Sequence, residues 1–511
     1  MKMRETSWTL VAALVLRTTA GFAQDQKQDT SPIDPNAPLQ PLDTSRGGTN
    51  ANRPPIGVVR GANVLDAAQP YDPAQVQPDQ NTLAGAAPFT LGSLQHTRNI
   101  LDPAISFSQL GQTVPGTSGK TVLTGVSVIS GSLNFTRTWS EYHFATIYNG
   151  GETFNLGYDK ASSFFGQTSP HNQFHDLAVT QEAAWARWHV LLRDDFMASP
   201  GAAFTGQGMG GPGLTAQFSS MLGASLNSLG QEFQPTETVN TGNAMRYRNS
   251  ILGQAEYSFS RRSAFTFSGS YGLLHFSGTG YFNNSVVDVQ AGYDYLLDPA
   301  NSIAVLASYG KTDFTGKGIS PTGTTTIGTG NSVTDYVGAL AYGRKITGRL
   351  AFQVAAGPQE IRFSGVGGAG NFRLLFVSIS SALTYERRRS SVSFSYARGL
   401  TGGSGVYLGA TSNTLSGSAR YQFTRFWTGL VNGGYSLNNS LPLAGAATTQ
   451  FDTWFFGANL ARRVGPHAQI NFNYGATRQY SPATCLVASC GGTGLQQSFG
   501  MSVSWHLRPT G

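Results

Sequence analysis

The chain has 511 residues, of which only 12% are charged and 11% are aromatic, with 63 glycines and a formal net charge of +7. A soluble domain of this size normally carries about 25% charged residues, and a helical membrane protein needs apolar runs of about 20 residues, which are absent here. The net charge of +7 is spread over all 511 residues, so the density of positive charge is low. With no basic helix or recognition motif, the sequence predicts no nucleic-acid partner.

The N-terminus has the pattern of a secretory signal peptide, predicted to span 1–23. Lys2 and Arg4 form a basic start, and an apolar core follows at 8–16. Gly21 and Ala23 supply small residues before the cleavage site, which we place after Ala23. The pattern predicts an exported protein.

Residues 24–103 form a second region of distinct composition. They are rich in proline, glutamine and asparagine and contain only two aromatic residues, Tyr71 and Phe89. A segment of this kind buries too little apolar surface to offset its chain entropy. We expect a disordered extension that lies in the periplasm.

From residue 104 to 511 the sequence alternates between apolar and polar residues. In one segment, Phe265 and Phe267 alternate with Thr266 and Ser268. A period of two predicts β-strands, because successive side chains point to opposite faces. Short polar turns alternate with long connections rich in Gly, Ser, Thr and Asn. Because a barrel without an open edge is the only way for strands to span lipid, the pattern predicts an all-β, antiparallel, up-and-down transmembrane barrel. We count about 18 strands, with 16 as the alternative, and the run 104–110 supplies the first one.

Aromatic residues gather near the short turns or at the end of the chain, where they predict an interfacial girdle. The tryptophans concerned are Trp139, Trp185, Trp188, Trp427 and Trp505.

On these features the chain resembles the porin-like outer-membrane β-barrels of bacteria over about 104–507. The resemblance rests on the leader, the amphipathic hairpins, the girdle and an amphipathic last strand from Phe499 to Leu507. It departs from the family at the C-terminus, where a tail follows Trp505 in place of a terminal aromatic residue. The resemblance implies location in the outer membrane, contact with its lipid, and insertion by the barrel-assembly machinery.

Charged residues on the polar strand faces are the candidate site. A charge that faces lipid costs about 2–4 kcal/mol at mid-depth, so these side chains are expected to line the lumen. They are Asp176, Glu182, Arg193, Asp195, Arg246, Arg248, Glu256, Asp288 and Asp294. They could form a mixed-charge constriction for polar solutes or an internal salt-bridge network that stiffens or plugs the barrel.

No metal, cofactor or catalytic site is predicted, and the chain is not expected to be an enzyme. Cys485 and Cys490 lie in a glycine-rich loop, where export favours a disulfide. The leading hypothesis is a porin-like channel for passive diffusion of small polar solutes. The alternatives are a non-conducting barrel whose outer loops bind a partner, an outer-membrane hydrolase and a secreted β-propeller. The oligomeric state stays open.

Overall fold

A computed structural model of the chain describes most of the region after residue 97. The described ranges are 98–115, 121–139, 142–156, 171–185, 187–200, 245–260, 262–278, 280–298, 300–319, 325–347, 349–365, 371–387, 389–401, 408–441, 450–465, 467–480 and 495–507. The predicted signal peptide, nearly all of the predicted extension, and both cysteines lie outside these ranges.

Eighteen antiparallel strands form one closed sheet. Each strand of this sheet pairs with the next strand of the sheet along the chain, and the last pairs with the first, where Phe107 lies opposite Val503. The predicted 18-stranded up-and-down barrel is therefore confirmed. The first nine strands are β1 Arg98–Pro115, β2 Thr121–Trp139, β3 Tyr142–Leu156, β4 His171–Ala184, β5 Trp188–Pro200, β6 Met245–Ser258, β7 Ser263–Phe276, β8 Asn283–Leu296 and β9 Asn301–Thr315.

Between the two halves of the barrel, the chain forms a small hairpin that is not part of the wall sheet. It consists of β10 Lys317–Ile319 and β11 Thr325–Ile327. The remaining wall strands are β12 Ser332–Lys345, β13 Leu350–Ser364, β14 Phe372–Arg387, β15 Ser390–Thr401, β16 Ala410–Gln422, β17 Trp427–Ser440, β18 Gln450–Val464, β19 Ala468–Tyr480 and β20 Leu495–His506. No helix of the described part of the chain is long and apolar enough to cross a membrane. The first strand starts at Arg98, ahead of the expected boundary at residue 104, because its backbone keeps pairing with β2 back to Thr138.

The two ends of the barrel differ in their connections. At the turn end, short connections join β2 to β3, β4 to β5 and so on around the wall; at the loop end, the connections are mostly longer. Four turns share one hydrogen-bond pattern, in which a Ser, Thr or Asp side chain accepts a hydrogen bond from the backbone N–H three residues later. The accepting residues are Ser260, Asp298, Thr347 and Thr424.

The alternation predicted from the sequence separates two surfaces. On β1, Ile105 is 62% exposed on the outer face, whereas Ser106 on the inner face is 7% exposed. Large apolar side chains follow the same rule around the wall, as Phe267, Leu340, Leu375 and Phe499 illustrate. A surface with this much exposed apolar area is suited to lipid rather than to water. The inner face carries mainly small polar side chains.

Candidate functional site on the inner wall

Hydroxyl groups of serine and threonine line much of the inner wall. Ser393 and Ser418 approach to 2.7 Å between their oxygens, and Ser395 and Ser416 to 2.6 Å. These are directly opposed pairs on β15 and β16. Ser393 remains exposed, so this part of the inner wall is accessible to water and lined by groups that both donate and accept hydrogen bonds.

Strands β4, β5 and β6 carry a cluster of charges on this face. The Arg193 guanidinium donates to Asp195 through Nε (2.8 Å to Oδ2) and Nη2 (2.7 Å to Oδ1). Asp176 and Glu182 are close enough to interact electrostatically with the same guanidinium, and Arg248 interacts with Asp176. Arg193 is only 2% exposed, so its charge is held by acidic neighbours rather than by bulk water.

Two histidines extend this cluster toward the turn end. His143 on β3 lies opposite Glu182, with 3.9 Å between Nδ1 and the nearest carboxylate oxygen. His189 on β5 lies opposite Glu256 of β6. Neither histidine is among the residues predicted for the lumen, although each occupies a polar position of an alternating strand, which is the signal that could have identified it.

A second group of charges lies on β8 and β12. An added Cβ on Gly310 of β9 would overlap the carboxylate of Asp335 and stand 3.2 Å from Oδ2 of Asp288. The two carboxylates thus converge over a residue without a side chain. Gln359 donates to Asp335 at 3.0 Å, and Asp294 accepts from Thr266 at 3.1 Å. Asp335 was missed because its approach to Asp288 depends on the intervening strand β9.

Apolar side chains narrow the inner face at the loop end. This mouth cluster joins side chains of β9, β12 and β13 to residues that flank β8, β16 and β17. Its members, each at most 3% exposed, are Phe282, Phe314, Val333, Ile361, Phe363, Leu408 and Leu441. Gly409 lies so close to Val333 that an added Cβ would be 3.3 Å from its Cγ2, although three strands lie between β12 and β16 along the wall. Leu408 and Gly409 therefore fold inward and reach β12 past the three intervening strands.

All nine charged residues predicted for the lumen lie on strand positions in phase with the buried inner face: Asp176, Glu182, Arg193, Asp195, Arg246, Arg248, Glu256, Asp288 and Asp294. Five of them, Asp176, Glu182, Arg193, Asp195 and Arg248, interact in the cluster around Arg193. Arg246 lies 5.7 Å from the Phe276 ring centroid, Glu256 pairs with His189 across β5 and β6, and Asp288 and Asp294 belong to the β8 group. Among the described residues, no three His, Cys, Asp or Glu side chains are placed to hold a metal ion.

The girdle tryptophans all lie at the turn end. Trp139 stacks on Tyr142 at 5.8 Å, and Trp185 meets the same tyrosine edge-on at 6.3 Å. Trp188 contacts Tyr257 at 4.8 Å. The Arg462 guanidinium lies over the ring of Trp427, and the His467 ring stacks on Trp505. These aromatic contacts lie at one rim of the barrel.

No protein-family model matches the chain, and no curated protein is similar to it. Solved structures do match. They include a BenF-like porin from Pseudomonas fluorescens Pf-5 (9% identity, TM-score 0.39, 80% of this chain and 98% of that chain), OpdQ from Pseudomonas aeruginosa (8%, 0.38, 81% and 98%) and OccAB1 from Acinetobacter baumannii (8%, 0.40, 80% and 97%). In architecture the chain is a porin-like barrel, as its own 18-stranded closed wall shows.

Proposed function

We propose that the protein is an outer-membrane channel through which small hydrophilic solutes diffuse passively. The observation that carries the proposal is the division of the closed wall into an apolar outer face and a hydroxyl-rich inner face that includes charges of both signs. Barrels of 16–18 strands are wide enough to leave an aqueous channel. The same division favours a location in a bacterial outer membrane, because closed barrels are the strand architecture that spans lipid.

The charged groups on the inner wall suggest how solutes are discriminated. The cluster around Arg193 carries mixed charge, whereas Asp288 and Asp335 bring two carboxylates close together over Gly310. A solute that passes between the two groups experiences a field across the channel, strengthened by the low dielectric constant of the wall.

The experiment is reconstitution of the purified full-length protein into planar bilayers and liposomes. The channel hypothesis predicts stepwise conductance increments in KCl and swelling of the liposomes in small sugars and amino acids. A heat-modifiable shift in electrophoretic mobility provides the control that the barrel is assembled. Assembled protein that produces neither conductance nor swelling would reject the channel.

A second candidate is a closed barrel that serves as a structural or surface-binding element. The mouth cluster favours it, because fully buried apolar side chains meet across the inner face near Val333 and Gly409. The two candidates differ in the same bilayer experiment. A closed barrel conducts only after members of the mouth cluster have been replaced by smaller residues.

A further inference from the structure

A row of charged side chains lies on the outer face of the wall near the loop end. The residues face one another across four neighbouring strands: Lys311 of β9 opposes Thr334 of β12, Thr334 opposes Arg362 of β13, and Arg362 opposes Arg373 of β14. They share the outer face with Tyr336 and Leu375, which are exposed. Three cations therefore project from one hydrogen-bonded row of the outer face.

Two carboxylates partly neutralise these cations. Glu360 accepts from Nε of Arg362 at 2.5 Å and from Nη2 of Arg373 at 2.6 Å. Asp313 accepts from Nζ of Lys311 at 2.9 Å. The Arg362 guanidinium also lies over the ring of Tyr336, 5.0 Å from its centroid. One carboxylate is thus shared by two guanidinium groups, and the row keeps a net positive charge.

The arginines retain most of their hydrogen-bonding capacity. Each guanidinium has five N–H donors, and their side chains are 56% and 68% exposed for Arg362 and Arg373. Like charges placed directly opposite each other on a sheet are unfavourable, and charge on the lipid-facing wall is unfavourable as well. A second anion that pairs with both guanidinium groups would offset both effects. Phosphate suits them best, because it accepts paired hydrogen bonds from the planar arginine fork.

We propose that Lys311, Arg362 and Arg373 bind the phosphate groups of an anionic glycolipid in the outer leaflet. The inference rests on the proposed outer-membrane location, with the loop end facing outward. A lipid is favoured over free phosphate because the exposed apolar side chains of Leu375 and Val377 continue on the same face of β14 toward the turn end. There they can contact acyl chains while the arginines hold the headgroup.

The test is native mass spectrometry of the full-length protein with three probes: diphosphoryl lipid A, its dephosphorylated form, and inorganic phosphate. We expect the wild-type protein to bind diphosphoryl lipid A at least tenfold more tightly than the dephosphorylated form. Inorganic phosphate at millimolar concentration should displace little of the lipid. Equal binding of the two lipids would overturn the proposal, and full displacement by inorganic phosphate would reassign the row to free phosphate.

A matched pair of double variants locates the binding on the wall. Arg362→Gln with Arg373→Gln should weaken binding of diphosphoryl lipid A about tenfold. Arg344→Gln with Arg387→Gln, which removes two exposed arginines at the opposite ends of β12 and β14, should leave it unchanged. An equal loss in both variants would overturn the proposed location. If the first variant fails to assemble, Arg373→Lys retains the charge but not the fork, and its binding should fall between the two.

Conductance separates this inference from the proposed channel. The double variant at Arg362 and Arg373 should lose lipid binding and keep the single-channel conductance of the wild type, because both side chains lie outside the lumen. A wild-type barrel that binds the phosphorylated lipid and does not conduct would reject the channel and leave the lipid site standing.

Discussion

Arg193 and Asp195 stand two residues apart on the inner face of β5 and are joined by two hydrogen bonds of 2.8 and 2.7 Å. Asp195→Asn removes the main counter-charge of a buried guanidinium, which should lower the free energy of unfolding. We expect a loss of about 2 kcal/mol, below the usual cost of breaking a buried pair because Asp176 and Glu182 remain nearby. Urea unfolding of the barrel in vesicles measures this loss of unfolding free energy. Asp313→Asn, in the exposed outer pair with Lys311, should leave the unfolding midpoint unchanged; equal effects would contradict the assigned role.

The acidic pair over Gly310 predicts the ion selectivity. Asp288→Asn combined with Asp335→Asn removes two negative charges from the inner wall and should lower the K⁺ to Cl⁻ permeability ratio roughly two-fold or more. The reversal potential in a KCl gradient reports the change. Asp313→Asn removes a carboxylate from the outer face and should not move the reversal potential. An unchanged ratio in the double variant would mean that ions do not pass this pair.

Gly357 and Gly338 form a matched pair for testing the wall at Pro358, where the ladder between β12 and β13 is interrupted. An added Cβ on Gly357 would overlap the backbone carbonyl of Gly338, whereas one on Gly338 meets nothing within 4 Å. We expect Gly357→Ala to destabilise the barrel by about 1–3 kcal/mol, as for overpacking in a core, and Gly338→Ala to be neutral. The fraction of heat-modifiable protein after refolding compares them, and similar yields would show that the interruption relaxes freely.

The mouth cluster predicts a variant with higher conductance. Replacing Phe314 and Phe363 with alanine removes two buried rings that face inward at the loop end. The single-channel conductance should rise, since the apolar constriction widens, while the outward-facing control Phe394→Ala should conduct as the wild type does. A double variant that conducts no better would place the narrowest part of the channel elsewhere.

Alternation alone predicted most of the wall, because a period of two assigns each residue to one face. It succeeded for Phe265 and Thr266, where apolar and polar residues separate cleanly. It fails at the loop end of β13, where Glu360 and Arg362 face outward while Ile361 and Phe363 face inward. The pattern there would predict the opposite orientation. The register with β12, which is the same on both sides of the interruption at Pro358, decides it.

The sequence predicted which charged residues face inward, but it did not predict which of them come together in space. Arg193 and Asp195 belong to one strand, so their shared face follows from the sequence. The approach of Asp288 to Asp335 depends on two registers, β8 with β9 and β9 with β12, and on the missing side chain of Gly310. Hairpin registers of this kind depend on pairing between strands, which the sequence of a single strand does not encode.

The division of the wall into a wet and a lipid-facing side is tested most directly at two neighbouring residues of β15. Ser393 is exposed on the inner face, and Phe394, 46% exposed, projects from the outer face. Each is replaced in turn with cysteine, in a background where Cys485 and Cys490 are serine, and the protein is reconstituted in liposomes. A charged, membrane-impermeant maleimide should then label Ser393→Cys rapidly and Phe394→Cys at least tenfold more slowly, because thiolate reactivity requires water. Faster labelling of Phe394→Cys would contradict the account.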